Sequence, residues 1–152
     1  AGRPFSGFLD EITEFVKIKC RENSVNLEKK YAQNLPEVNM DKYLLEQAFV
    51  NFAFNAAEAM TEGGTLTLQA EVDRNGKAIT VKFIDTGTGI SDKDKDKLFN
   101  PFYTTKEAGI GLGLFTSLQI INAHRGRVGI KNNPDKGVTV TVNLPVAGKK
   151  AG

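Results

Sequence analysis

Tryptophan is absent, cysteine and histidine occur once each, and no apolar run approaches the roughly 20 residues that span a bilayer. The single Cys20 excludes an internal disulfide and suits a reducing, cytoplasmic setting. Charge of one sign is also missing. Twenty Lys and Arg against 18 Asp and Glu leave a formal charge of +2, which gives no footprint for nucleic acid or a membrane surface. The start, Ala1-Gly2-Arg3-Pro4, has no signal-peptide apolar region. What is present fits one globular domain, residues 1–152, with 40% hydrophobic and 25% charged residues. Gly148 to Gly152 trail off without a hydrophobic pattern, so a domain excised from a longer protein is expected.

Phe5, Phe8, Leu9, Ile12, Phe15, Val16 and Cys20 recur at helical spacing and predict an amphipathic helix over 6–22, with Cys20 a buried core residue. Val25 to Tyr31 reads as a strand and Leu35 to Val38 as a short extended piece. Asp41 is placed to cap a second helix running to Met60, which Gly63-Gly64 ends. Leu66, Leu68, Ala70 and Val72 alternate, Asp73 to Gly76 makes a hairpin turn, and Ile79, Val81 and Phe83 lead the returning strand into Asp85. Ser91 to Lys97 is a mixed-charge run. A third helix is expected over 112–124, then two strands joined by the turn at 133–137, the last ended by Pro145. The fold class is an α/β two-layer sandwich, with a mixed, mostly antiparallel sheet and helices on one face.

Three features carry chemistry. On the second helix, Gln47, Asn51, Asn55 and Glu58 form one stripe beside apolar residues. It is either a solvent-facing stripe or the border of a cleft holding phosphates and a hard cation such as Mg²⁺, for which amide oxygens are suitable ligands. Asp85 ends a strand ahead of Gly87 and Gly89, so its carboxylate can accept from an exocyclic amine. Adenine offers that donor, whereas guanine presents an oxygen; an ordinary turn is the alternative. Gly109, Gly111 and Gly113 open the third helix with amides suited to phosphate. Their spacing is neither the dinucleotide fingerprint nor the P-loop. Lys106 is either a reach to a terminal phosphate or a surface charge.

In this order, these segments resemble the ATP-binding catalytic domain of sensor histidine kinases, within the group that includes DNA gyrase, the Hsp90 chaperones and MutL. Leu45 to Met60 is similar to the family's N box and Asp85 to Ile90 to its first glycine box. Leu98 to Lys106 is similar to the F box and Gly109 to Leu114 to the second glycine box, and Gly137 begins something similar to the last box. The Pro-Phe-Tyr-Thr-Thr-Lys wording, residues 101–106, resembles the nitrogen-regulation type.

The resemblance implies the Bergerat ATP-binding fold, with ATP and Mg²⁺ as cofactors. Asn55 would coordinate Mg²⁺, Asn51 would sit by the phosphates and Asp85 would hold the adenine amino group. Gly87, Gly89 and Ile90 would lie by the base. Lys106, Gly109, Gly111, Leu112, Gly113 and Leu114 would face the phosphates, with a lid over about 91–108. Asn51 and Lys106 would be the catalytic residues. The implied activity is protein-histidine kinase: transfer of the γ-phosphoryl group to a histidine on a separate, dimeric helical phosphoacceptor domain of the same parent protein. From there it would pass to a response-regulator receiver domain. The parent protein would be cytoplasmic or membrane-anchored, with no membrane or nucleic-acid contact by this domain. Rival readings are an anti-sigma-type serine kinase and a nucleotide-sensing module that transfers nothing. Hydrolysing relatives carry glutamate where Asn51 stands; an amide takes no proton at neutral pH, so slow hydrolysis is expected. Phe115, Arg125 and Val138 depart from the family's usual small residue, glycine and threonine. His124 reads as a helix C-terminal residue.

Overall fold

The computed structural model describes residues 2–88 and 110–147, with the backbone alone for 2–4 and 110–113. In chain order the elements are β1 (Gly2–Pro4), α1 (Phe5–Glu22), β2 (Val25–Tyr31), β3 (Glu37–Asn39) and α2 (Lys42–Glu58). There follow β4 (Gly64–Val72), β5 (Ala78–Asp85), α3 (Ile110–Ala123), β6 (Arg127–Asn132) and β7 (Val138–Pro145).

Spacing decides how these layers meet. α1 buries Phe5, Leu9, Ile12, Val16 and Cys20 along one stripe. Burial raises the Cys20 thiol pKa above its ordinary value. Phe15, expected on that stripe, is 56% exposed. It stands about a quarter-turn from the stripe's centre at 3.6 residues per turn, so the sheet does not reach it. Asp41 caps α2 as expected, accepting from the Leu44 amide at 3.1 Å with an extended backbone. The helix closes at Glu58 rather than Met60, and Gly63, at φ 93°, takes the left-handed turn into β4.

The main sheet has the order β2-β4-β5-β7-β6. β2 and β4 are parallel, connected through α2, and the other three pairings are antiparallel. β1 and β3 form a separate antiparallel pair. β1 was not foreseen, because Gly2-Arg3-Pro4 carries no strand signal and tertiary pairing alone makes it a strand. The sheet is mixed and mostly antiparallel with helices on one side, as the sequence implied. On that side Leu66, Leu68, Ile79, Val81, Phe83, Val142 and Leu144 are buried.

Phe49 of α2 is the centre of the core. It meets Phe5, Phe8 and Phe83 edge-on, at centroid separations of 6.1, 5.4 and 5.4 Å. Each such ring contributes about 1.5–3 kcal/mol of burial. This packing sets the rotation of α2 about its axis, and so fixes where its amide stripe points. Among the described residues, no helix is long and apolar enough to cross a membrane.

Candidate functional site

Asp85 is the last residue of β5, in register with Leu66 of β4. The period of two that buries Ile79, Val81 and Phe83 turns Asp85 toward the helix layer as well, and it is 5% exposed. A carboxylate so buried needs donors. The Gly87 amide donates to its Oδ1 at 2.9 Å and the Val138 amide at 3.0 Å. Two amides on one oxygen fix the plane of the carboxyl group.

Gly87 is not in the left-handed region that the sequence reading had in mind. It is there for room: a Cβ would lie 2.8 Å from the Ala59 carbonyl oxygen. The turn after β5 therefore packs directly on the C-cap of α2. Gly137, at φ 88°, is needed on both counts, since a Cβ there would lie 2.0 Å from the Asp85 main-chain oxygen.

The helices complete the arrangement. Asn51 is half-buried and donates through Nδ2 to the Ser117 hydroxyl of α3 at 3.2 Å. Asn55, one turn further along, is also half-buried, and its carbonyl accepts from Ala59 at 3.1 Å. Gln47, at the other end of the stripe, is exposed. The His124 ring bridges the far ends: Nδ1 donates to the Ile120 carbonyl at 2.8 Å, and Nε2 accepts from the Asp41 amide at 3.0 Å. With Asp41 against His124 and Asn51 against Ser117, α2 and α3 run antiparallel. The start of α3 consequently lies beside the C-terminal half of α2, near Asp85.

α3 begins at Ile110, two residues before the expected start. Gly111 and Gly113 thus lie within its first turn, not ahead of it. The amides left without an intrahelical partner are those of the first turn, Ile110 and Gly111 among them, while the ladder reaches Gly113. Leu112 shares that turn, and Leu114 is buried. Gly89, Ile90, Lys106, Gly109 and the lid over 91–108 lie outside the described residues.

Asp85, Gly87, Asn51, Asn55 and the start of α3 are therefore brought to one end of the helix layer. A cleft of about 590 Å³ lies at the opposite end, lined by Asp41, Leu44, His124 and Arg125 among others, and has no part in this arrangement. Among the described residues, no group of three or more His, Cys, Asp or Glu is placed to hold a metal ion. The oxygen donors at this end are the Asn51 and Asn55 amides, which fit a hard cation that keeps its waters and bridges phosphates.

Sequence reasoning missed two residues. Ser117 is fully buried, and its signal was a small hydroxyl among the apolar positions Leu114, Ile120 and Ile121. Asn133 was passed over as one more turn residue before Pro134. Two departures find a physical account. Arg125 sits at φ 63°, the left-handed conformation that explains a glycine in relatives. Val138 uses its backbone amide on Asp85, a bond that no side chain alters.

Residues 40–148 match the family model described as histidine kinase-, DNA gyrase B- and HSP90-like ATPase. The chain is 32% identical over 137 residues to sporulation kinase A of Bacillus subtilis (strain 168), covering 90% of this chain and 22% of that protein. It is 32% identical over 148 residues to the sensory histidine kinase/phosphatase NtrB of Vibrio alginolyticus, covering 91% of this chain and 42% of that one. The nucleotide-free catalytic domain of histidine kinase ThkA superposes with a TM-score of 0.85 at 26% identity, covering 96% of this chain and 95% of that domain. The chain thus spans roughly a fifth to two-fifths of the two kinases' length and nearly all of the isolated catalytic domain.

Proposed function

The chain belongs to the histidine kinase-, DNA gyrase B- and HSP90-like ATPase family, and from that premise we propose that it binds Mg·ATP and passes the γ-phosphoryl group to a histidine on a separate phosphoacceptor domain. The observation that carries this reading is the buried Asp85 carboxylate, held by two amides at the end of the helix layer where Asn51, Asn55 and the start of α3 converge. Asp85 accepts from the adenine amino group, a donor that guanine lacks. Gly87 and Gly89, with Ile90, leave room for the flat base. Asn55 is the protein ligand of Mg²⁺, and Asn51 lies by the phosphates. Gly109, Gly111, Leu112, Gly113 and Leu114 open α3 toward the phosphates, and Lys106, from a lid over about 91–108, reaches the terminal one. When bound, Mg²⁺ offsets charge on the phosphates.

In the transfer, a histidine ring nitrogen of the acceptor attacks the γ-phosphorus. The bond to the bridging β–γ oxygen breaks, and ADP leaves with that oxygen's electrons. The work of this chain is positioning and electrostatic stabilisation. Residues 1–152 form the single catalytic domain of a longer, dimeric, multidomain sensor kinase of the nitrogen-regulation type. That parent supplies the acceptor helix and serves a response-regulator receiver domain. The domain acts in the cytoplasm without membrane or nucleic-acid contact of its own.

The test is direct. Asp85→Asn replaces an acceptor with an amide, and calorimetry should show ATP affinity reduced at least about tenfold, the scale of one charge-assisted hydrogen bond. Asn55→Ala should abolish Mg²⁺-dependent transfer to a supplied histidine-bearing helical domain. Unchanged ATP affinity in the first variant would remove the adenine role, and normal transfer in the second would remove the metal role.

A further inference from the structure

Asn133, at the head of the turn between β6 and β7, spends every polar atom of its side chain on the surroundings of Asp85. Its Nδ2 donates to the Asp85 main-chain oxygen at 2.9 Å and to the Lys136 carbonyl at 3.1 Å. Its Oδ1 accepts from the Thr139 hydroxyl. Two carbonyls on the nitrogen side and a hydroxyl on the oxygen side admit one orientation of the amide. The Asn133 amide N–H donates to the Gly137 carbonyl at 2.8 Å, closing the turn. One side chain therefore ties Asp85 to the turn that delivers the Val138 amide onto the Asp85 carboxylate.

The two donors to Oδ1 differ in what holds them. Gly87 is two residues from Asp85, and its bond is local. Val138 is 53 residues away, and its bond lasts only while the turn stays pressed on the end of β5. Gly137 permits that contact by lacking a Cβ, and Asn133 is the side chain that pins it.

We infer that Asn133 is a positioning residue that sets the plane of the Asp85 carboxyl group and thereby determines the preference for adenine over guanine. The inference rests on the reading of Asp85 given above. Without Asn133 the Val138 donor drifts, the carboxyl group is held by one amide and can turn, and its aim at an exocyclic amine is lost. Guanine gains nothing from the fixed carboxylate, so its binding does not depend on Asn133.

The experiment measures ATP and GTP displacement of a fluorescent nucleotide from the chain carrying Asn133→Ala, Thr139→Val or Asp85→Asn, with thermal melts to verify folding. Asn133→Ala should lower the ATP-to-GTP affinity ratio about tenfold, through ATP alone, as expected for loss of one oriented hydrogen bond. Thr139→Val keeps the side-chain volume, removes only the hydroxyl on Asn133 Oδ1, and should lower the ratio about two- to threefold. Should Asn133→Ala fail to fold, Thr139→Val decides alone. ATP and GTP falling together, or an unchanged ratio in the folded variants, would overturn the inference while Asp85→Asn still collapses the ratio. An unchanged ratio in Asp85→Asn would overturn the adenine reading itself, and this inference with it.

Discussion

At the residue scale, the site depends as much on missing atoms as on functional groups. Gly137 has no room for a methyl group, because the would-be Cβ meets the Asp85 carbonyl oxygen at 2.0 Å, and its φ of 88° disfavours any L side chain. The backbone around Asp85 and the turn that feeds it an amide are thus one packed unit. Gly137→Ala must push that turn off the strand end. It should cost at least about 2 kcal/mol by chemical denaturation, from the left-handed backbone plus the clash. ATP affinity should fall with it. A variant as stable as the parent would mean that the turn can move aside without consequence. The same residue-level view explains why Val138 in place of threonine leaves Asp85 supported: the donor is the main-chain amide.

At the scale of elements, periodicity carried most of the fold. The amphipathic stripe of α1, the Asp41 cap, the hairpin turn at 73–76 and the alternation of β5 each have a local cause, and each stands where the sequence put it. β1 and the exact reach of α1's apolar face do not have local causes. They depend on which surface lies opposite, as Phe15 demonstrates. The candidate site divides likewise. Asp85 and the Asn51/Asn55 stripe were legible because strand ends and helix faces follow from spacing. Ser117 and Asn133 were not, because their partners lie 66 and 48 residues away. The seam between α1 and β2 supplies a prediction of its own. The Tyr31 hydroxyl is buried there with no hydrogen-bond partner. Burial first, and the Asp10 carboxylate second, push its pKa well above the ordinary tyrosine value. A folded-state pKa above the unfolded value means that this group's contribution is fully present below about pH 10 and is lost as pH rises beyond it. Tyr31→Phe should change stability by less than about 1 kcal/mol at neutral pH, since it removes an unsatisfied group. It should also flatten the alkaline limb of a stability-versus-pH curve. A parallel alkaline loss in both proteins would show that Tyr31 does not report on the seam.

At the scale of the whole molecule, the question is why a pocket for ATP should hold its nucleotide intact. Asn51 occupies the position where hydrolysing relatives of the fold carry a glutamate base, and its amide nitrogen is bound to the Ser117 hydroxyl. An amide cannot accept a proton from water at neutral pH, and a positioned base is worth about 10²–10⁴ in rate. The chain alone should therefore release phosphate from ATP at least about 10²-fold more slowly than glutamate-bearing relatives, while binding ATP with normal stoichiometry. Adding a helical domain with an acceptor histidine should convert the bound nucleotide to ADP and label that histidine, because the nucleophile then brings its own nitrogen lone pair and needs no base from this chain. Steady-state phosphate release measured without and with that domain separates the outcomes. Brisk hydrolysis by the isolated chain would place it with the hydrolysing members of the family. Binding without label transfer to any histidine domain would leave it a nucleotide sensor. Slow hydrolysis with transfer on addition of the acceptor fits a molecule that stores the donor at one end of its helix layer and leaves the timing of the reaction to the partner that carries the histidine.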